Sequence, residues 1–395
     1  MNPLWLQPIH KSMLDEDLYK FTQQMAFLEL FPNEQGCYKF KNRGKHRFTP
    51  EFMEALRFHV NVNMPKLAAT QDELIKFKEK APYLKPWYFE YLRNFRYNPS
   101  QVKMWLDKDN NLCLEVRGPL HEVMMWEVKL MSLISELYFL ICDTKWTMDG
   151  QVEKANAKGK KLSDAGCIYT DFGTRRRRSY EVQDMFVREN MKYKGFVGTS
   201  NVYISLKYGL TPKGTMAHEF YMAMQALEGI RNSNYFAMLN WAKVYKGALG
   251  TALPDTLGSE QFIKNFTTSF AKLWDGPRWD SGDEYWFTDL FVNHYKSLGI
   301  NPLSKTIIYS NALDCDRAIK INEYCKGKIL AAFGIGTYFT NDFDNSPALN
   351  MVIKLDSVNG IFVIKISDDA GKVMGDKDAI RVTKWECFGT PLDQP

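Results

Sequence analysis

The sequence predicts an α/β protein: an irregular α/β barrel joined to an N-terminal α/β domain. Three observations predict it. From residue 167 to residue 351 short apolar runs recur, each followed by a helical segment. Before residue 145 the rhythm is different, mainly helical with one short strand pair. Finally, a polar cluster follows almost every apolar run, and in parallel α/β architectures the carboxyl ends of the strands carry the ligand site.

In chain order, helical patterns cover Asp15 to Phe31, Pro50 to Leu56, Gln71 to Glu79, Pro86 to Phe95 and His121 to Cys142. A strand pair around Val102 to Val116 turns at Asn110-Asn111, a residue pair suited to a hairpin. A helix rich in Lys and Ala, Gln151 to Leu162, opens the second rhythm. Its apolar runs begin at Cys167, Gly195, Gly214, Gly250, just before Arg278, and at Thr306, Ile329 and Asn350. They are spaced by roughly 20–35 residues, the length of a βα unit. Eight or so such units favour a closed or nearly closed barrel over residues 146–351, behind a domain of residues 1–145. A doubly wound open sheet is the alternative, because pattern alone does not fix closure.

The composition bounds the function. At 395 residues with 45% hydrophobic side chains, the chain can bury a large core, which sets aside disorder. The most apolar stretch, Leu130 to Cys142, is short of a membrane span and carries Glu136. No basic segment followed by an apolar run opens the chain, so no secretory leader is expected. Seven singly scattered cysteines form neither a disulfide framework nor a paired metal motif, which fits a reducing cytoplasm. A net charge of +5 suits an anionic small molecule and argues little for nucleic acid.

Four constellations carry chemistry. The run from Asp171 through Phe172 and Arg175 to Arg178 follows a strand, placing Arg175 where it can grip a carboxylate or phosphate. A solvated basic patch or a structural salt bridge is the competing reading. His218, after Gly214-Thr-Met-Ala, is one of six histidines. A neutral imidazole can attack a phosphoryl group and release it to water, whereas most lone histidines are simply packed. Gly334 and Gly336, before Thr337, let backbone N–H groups approach a phosphate, although a plain tight turn needs the same glycines. Arg278, Asp280, Ser281 and Asp283 suit ribose hydroxyls and Mg²⁺-bound diphosphate, or equally a capped helix start. Thr199, Ser200, Asn201, Asp255, Ser310 and Asn311 complete the polar groups after the strands.

Taken together, these motifs resemble those of the nicotinate phosphoribosyltransferase family. The resemblance runs from Leu14–Gln24, with Tyr19, and Tyr38–Gly44 through the Asp171–Arg177 segment, Gly198–Asn201, Gly214–Glu219 and Thr251–Thr256 to Asp280–Asp283, Ser310-Asn311 and Phe333–Thr337. It implies a type II phosphoribosyltransferase fold whose N-terminal domain is rejoined by C-terminal strands within residues 352–395, and a cytoplasmic homodimer with a shared site. It also implies ATP-stimulated condensation of nicotinate with phosphoribosyl diphosphate, with Mg²⁺, through a phosphohistidine at His218. By the same resemblance Tyr19, from the partner subunit, and Phe172 sandwich the nicotinate ring, bordered by Arg175, Thr199 and Ser200. Arg175 and Arg278 lie against the substrates and Asp255 holds the surrounding hydrogen bonds. Asp280 and Ser281 serve the ribose side, while Asn311, Gly334, Gly336 and Thr337 cradle the 5-phosphate. Direct metal ligands stay unassigned. Trp279 and Glu284 depart from the family's pattern but leave the Asp280–Asp283 core intact.

Rival readings make different demands. A nicotinamide enzyme would meet an amide, and the lack of an acid at residues 199–201 favours a carboxylate. A quinolinate enzyme would want more cationic groups and no phosphohistidine. An RNA-binding protein using Arg175–Arg178 would bind with steep salt dependence, and a non-catalytic relative would be expected to lose His218 or the glycines. No nucleic-acid or membrane partner is expected.

Overall fold

The computed structural model describes residues 2–44 and 46–392. Its strands are β1 (Gln35–Asn42), β2 (Val102–Leu106), β3 (Leu112–Pro119), β4 (Tyr169–Asp171), β5 (Phe196–Thr199), β6 (Thr251–Ala252), β7 (Gly276–Trp279), β8 (Thr306–Tyr309), β9 (Leu330–Ile335), β10 (Met351–Val358) and β11 (Ile361–Phe362). They form two sheets. One is parallel, in the order β5-β4-β9-β8-β7-β6; the other is antiparallel, in the order β11-β10-β1-β3-β2.

Parallel strands need cover on both faces, and the βα crossovers supply it. The helices that follow start where a polar side chain can satisfy the free N–H groups of the first turn. Ser179 accepts from Val182 N, Asn201 from Ile204 N, Asp283 from Trp286 N and Asp314 from Arg317 N. The polar residues after the strands thus end one element and begin the next. Buried Tyr169 of β4 donates from its hydroxyl to Asn190 Oδ1 at 2.9 Å, tying the strand to the Tyr180–Asn190 helix.

In the antiparallel sheet β10 lies beside β1, with Leu355 opposite Tyr38 and Lys354 opposite Lys39. β1 had been legible only as a motif, not as a strand. The hairpin of β2 and β3 turns where expected, with Asn110 in the left-handed region at φ 57°. Asn tolerates that conformation.

The parallel sheet departs from the expected series at two runs. Gly214 to Ala217 is extended but joins no ladder; near it, Lys213 N donates once to Thr199 O at 2.9 Å. The run at Asn350 does form a strand, β10, but in the antiparallel sheet. Six runs therefore become parallel strands, and no ladder joins the edge strands β5 and β6, leaving the barrel irregular. The chain at 215–216 passes this opening under the side chain of Arg278, which donates to Thr215 Oγ1 and Met216 O. Among the described residues no helix is long and apolar enough to cross a membrane.

Candidate active site

A cavity of about 850 Å³ opens at the carboxyl ends of the parallel strands. β10 and the segment up to Met374 close it from the other side. Tyr19, Phe172, Arg175, Ser200, His218, Arg278, Asp280, Asn311, Gly334, Gly336 and Thr337 all line it. Thr199, Asp255 and Ser281 do not; they are buried in its wall and act on the residues that face it.

His218 is the first residue of the His218–Leu227 helix. Its Nε2 lies 2.7 Å from Asp255 Oδ1 and 2.8 Å from Lys365 Nζ. Lys365 also reaches Asp255 Oδ2 at 2.7 Å, and Ser281 Oγ donates to that oxygen at 2.6 Å. Burial, reinforced by the Lys365 ammonium and opposed by Asp255, pushes the imidazole down to about 4. Burial works against the Asp255 carboxylate, yet Lys365 and then His218 hold it well below the usual range. One ring nitrogen cannot both donate to Asp255 and accept from Lys365. With Lys365 donating to Asp255 Oδ2, Nε2–H is free to donate to Oδ1, and the lone pair then sits on Nδ1. The result is a neutral imidazole at physiological pH.

His218, Asp255 and Asp280 have ligand atoms within 4.8 Å of one another, a spacing that could hold a metal. Lys365 Nζ already stands among them, 3.9 Å from Asp280 Oδ2 as well. The cluster therefore fits an ammonium group and not a resident cation.

Opposite the histidine is an aromatic and cationic wall. The Phe172 ring packs so closely on Gly334 that a Cβ there would lie 2.3 Å from it. A Cβ at Gly336 would lie 2.9 Å from Phe172 O. Both glycines line the cavity, but close approach of Phe172 is reason enough for them. Arg175 Nη1 is 3.6 Å from Glu127 Oε1, and the Tyr19 hydroxyl donates to Glu127 Oε2 at 3.3 Å. Tyr19 lines the cavity of its own chain. The reason is local: Leu18 N donates to Ser200 O, and Ser200 Oγ donates to Asp17 Oδ1 at 2.7 Å, pinning the helix start beside β5.

The same bonds correct the argument from residues 199–201. Acids do reach them, from elsewhere in the chain: Asp17 on Ser200, and Asp171 on Thr199 at 2.7 Å. Asn201 is occupied in capping a helix and donating to Asp15. Of the four consecutive arginines, Arg175 and Arg176 line the cavity, whereas Arg177 and Arg178 are fully buried, so no continuous basic surface patch exists there.

On the far side Arg278 donates to Thr215 Oγ1 at 2.6 Å and reaches Asp280 at 3.3 Å. Ser310 Oγ donates to Asp280 Oδ1, and Lys372 Nζ to Asn311 Oδ1 at 2.6 Å. Sequence reading missed Glu127, Lys354, Lys365 and Lys372, and the lining arginines Arg43 and Arg176. The three lysines lie after the last βα unit, where the one available signal was that C-terminal strands return to the N-terminal region.

The chain is similar to known proteins over nearly its whole length. The model for the nicotinate phosphoribosyltransferase (NAPRTase) family matches residues 167–390, and that for the family's N-terminal domain matches residues 14–135. A nicotinate phosphoribosyltransferase of Methanococcoides burtonii is 47% identical over 404 aligned positions, covering 97% of this chain and 99% of its own. One from Methanosarcina mazei is 46% identical, with 97% and 100% covered. The crystal structure of nicotinate phosphoribosyltransferase from Porphyromonas gingivalis superposes with a TM-score of 0.92 at 36% identity, over 95% of this chain and 99% of that one. Matches of this extent, spanning both sheets and every wall of the cavity, place the chain in the nicotinate phosphoribosyltransferase family.

Proposed function

We propose that the chain condenses nicotinate with 5-phosphoribosyl 1-diphosphate, giving nicotinate mononucleotide and diphosphate for NAD salvage, and that ATP drives the step through a phosphohistidine at His218. One observation carries the reading: a buried, neutral histidine faces the same cavity as Tyr19, Phe172 and the cations Arg175 and Arg278. Its family relatives bear the name of this activity.

In the transfer the bond from the anomeric carbon to the diphosphate oxygen breaks, through an oxocarbenium-like state. The pyridine nitrogen forms the new C–N bond from the opposite face. Tyr19 and Phe172 offer the flat base aromatic surface. The amides at Gly336 and Thr337 serve the 5-phosphate, while Arg278, with Asp280 beside it, stabilises charge that develops on the leaving diphosphate oxygen. Mg²⁺ travels with the diphosphate and ATP and neutralises their charge. His218 Nδ1 attacks the terminal phosphorus of ATP and ADP leaves; later water cleaves the P–N bond. Asp255 holds the ring, and Lys365 stands next to the new negative charge.

The reading includes a cytoplasmic homodimer. Seven unpaired cysteines support a reducing compartment, and Ile361 and Phe362 on edge strand β11 are exposed for self-association. Glu127 and Asp17 near the base wall favour a second reading, in which an amide is accepted. The test is turnover of nicotinate against nicotinamide, with and without ATP, in wild type and His218→Ala. Nicotinate conversion with ATP stimulation confined to wild type is the expected result. Preference for nicotinamide would sink the base assignment, and equal stimulation of His218→Ala would sink the phosphohistidine.

A further inference from the structure

The acids near Thr199 and Ser200 leave open which group tells a carboxylate from an amide. Most cations of the cavity are already tied. Lys365 holds Asp255 and His218, Lys372 holds Asn311, and Arg278 holds Thr215. Two are different, Arg176 and Lys354 on β10, and of these only Lys354 has Glu127 among its neighbouring charges. Lys354 lines the cavity, yet among the described residues its ammonium has no hydrogen bond and no carboxylate within 4.0 Å. Nearby Lys20 shows the contrast, bonded to Glu127 at 2.6 Å and to both oxygens of Glu219 at 2.7 and 2.8 Å.

A half-buried cation without a partner carries a desolvation cost, and an anionic ligand offsets it. Burial pushes Lys354 down to about 8, with Glu127 opposing and Arg175 adding to the shift. Those two neighbours belong to the wall that holds Tyr19. The groups nearest the 5-phosphate side, Asn311 and Lys372, satisfy each other elsewhere.

We infer that Lys354, with Arg175, receives the carboxylate of the pyridine substrate and is the residue that distinguishes an acid from its amide. The inference rests on the proposed reaction. Arginine offers two parallel donors and lysine a point charge, so together they can engage both carboxylate oxygens. An amide brings no charge to pair with Lys354.

The test is Lys354→Met beside Lys354→Arg, with steady-state kinetics for nicotinate, nicotinamide and phosphoribosyl diphosphate, and calorimetric binding of each base. Loss of a hydrogen bond to a charged group predicts a rise in the nicotinate KM on the order of 10- to 100-fold for Lys354→Met. The phosphoribosyl diphosphate KM and any nicotinamide conversion should move much less, Lys354→Arg should restore most of the loss, and the melting temperature should not fall. Should Lys354→Met fail to fold, Lys354→Gln reads the same ratio. Equal losses for both bases, or a rise confined to phosphoribosyl diphosphate, overturn the inference. Wild type inactive on nicotinate sinks the reaction itself; active wild type with an unchanged nicotinate KM in Lys354→Met sinks only the role of the lysine.

Discussion

Two of the buried charge clusters among the described residues are built from similar groups and used differently. Around Arg177, Asp15 accepts from both Nη atoms at 2.6 and 2.8 Å, Glu136 from Nε at 2.7 Å and Gln183 from Nη1 at 3.2 Å. The second Glu136 oxygen accepts from Tyr180 N, and Asp15 also accepts from Asn201. Each polar atom has its own partner, and the cluster joins the chain before the Leu18–Leu30 helix to the Trp126–Ile141 and Tyr180–Asn190 helices. Around His218, by contrast, one ring nitrogen lies near two groups that cannot both bond to it, and the ring lines the cavity. A saturated network fixes a structure. A network that leaves a neutral ring with a spare lone pair, beside solvent-accessible space, can change state.

Arg177→Met should break the first cluster, costing about 3–5 kcal/mol in urea unfolding because two carboxylates are left buried and unpaired. Lys365→Met should cost less, about 1–2 kcal/mol, since His218 can take up a proton and replace the lost charge. Its signature is the His218 titration, followed by NMR, moving up from about 4. Equal destabilisation by the two variants would erase the distinction between the clusters.

A further effect follows from pH. His218 titrates near 4 when folded and near ~6.5 when unfolded. Between those values the unfolded chain binds the extra proton, so the contribution of His218 to stability rises with pH. As the pH falls from 6.5 to 4, wild type should lose up to about 3 kcal/mol relative to His218→Asn. Unfolding curves for the pair across that window give the difference directly; a flat difference would mean the ring is not held neutral.

Gly334→Ala probes the opposite wall. The added methyl meets the Phe172 ring and should cost roughly 1–3 kcal/mol. If Phe172 is the shelf for the base, the nicotinate KM rises more than that for phosphoribosyl diphosphate. If Gly334 mainly cradles phosphate, the order reverses.

Much of this was legible in the chain. Local signals, such as the helix start at Asp280–Asp283 and apolar runs at β8 and β9, act within a few residues and so survive in the sequence. The residues after the parallel strands were legible too, because that topology sends them to one end. Gly214 to Ala217 misled, since a short apolar run reads alike as a strand or as unladdered backbone. Long-range partners left no trace: nothing near Ser200 announces Asp17, and nothing near His218 announces Lys365. The glycines at 334 and 336 were read as a phosphate cradle because their crowding by Phe172 exists only once β4 and β9 are neighbours.

The pairing of β1 with β10 has a consequence for how the molecule is made. On a chain emerging from the ribosome, β1 can find β3 early, but its other edge stays open until residue 358 is out. An open edge of that kind invites other strands. Lys354, Lys365 and Lys372 arrive with the same late segment, so the cavity acquires its last wall and three of its cations only when synthesis is nearly over. A growing chain that already carries His218, Arg278 and both glycines is therefore still without a finished pocket, and the most vulnerable stage of biogenesis is also a catalytically silent one.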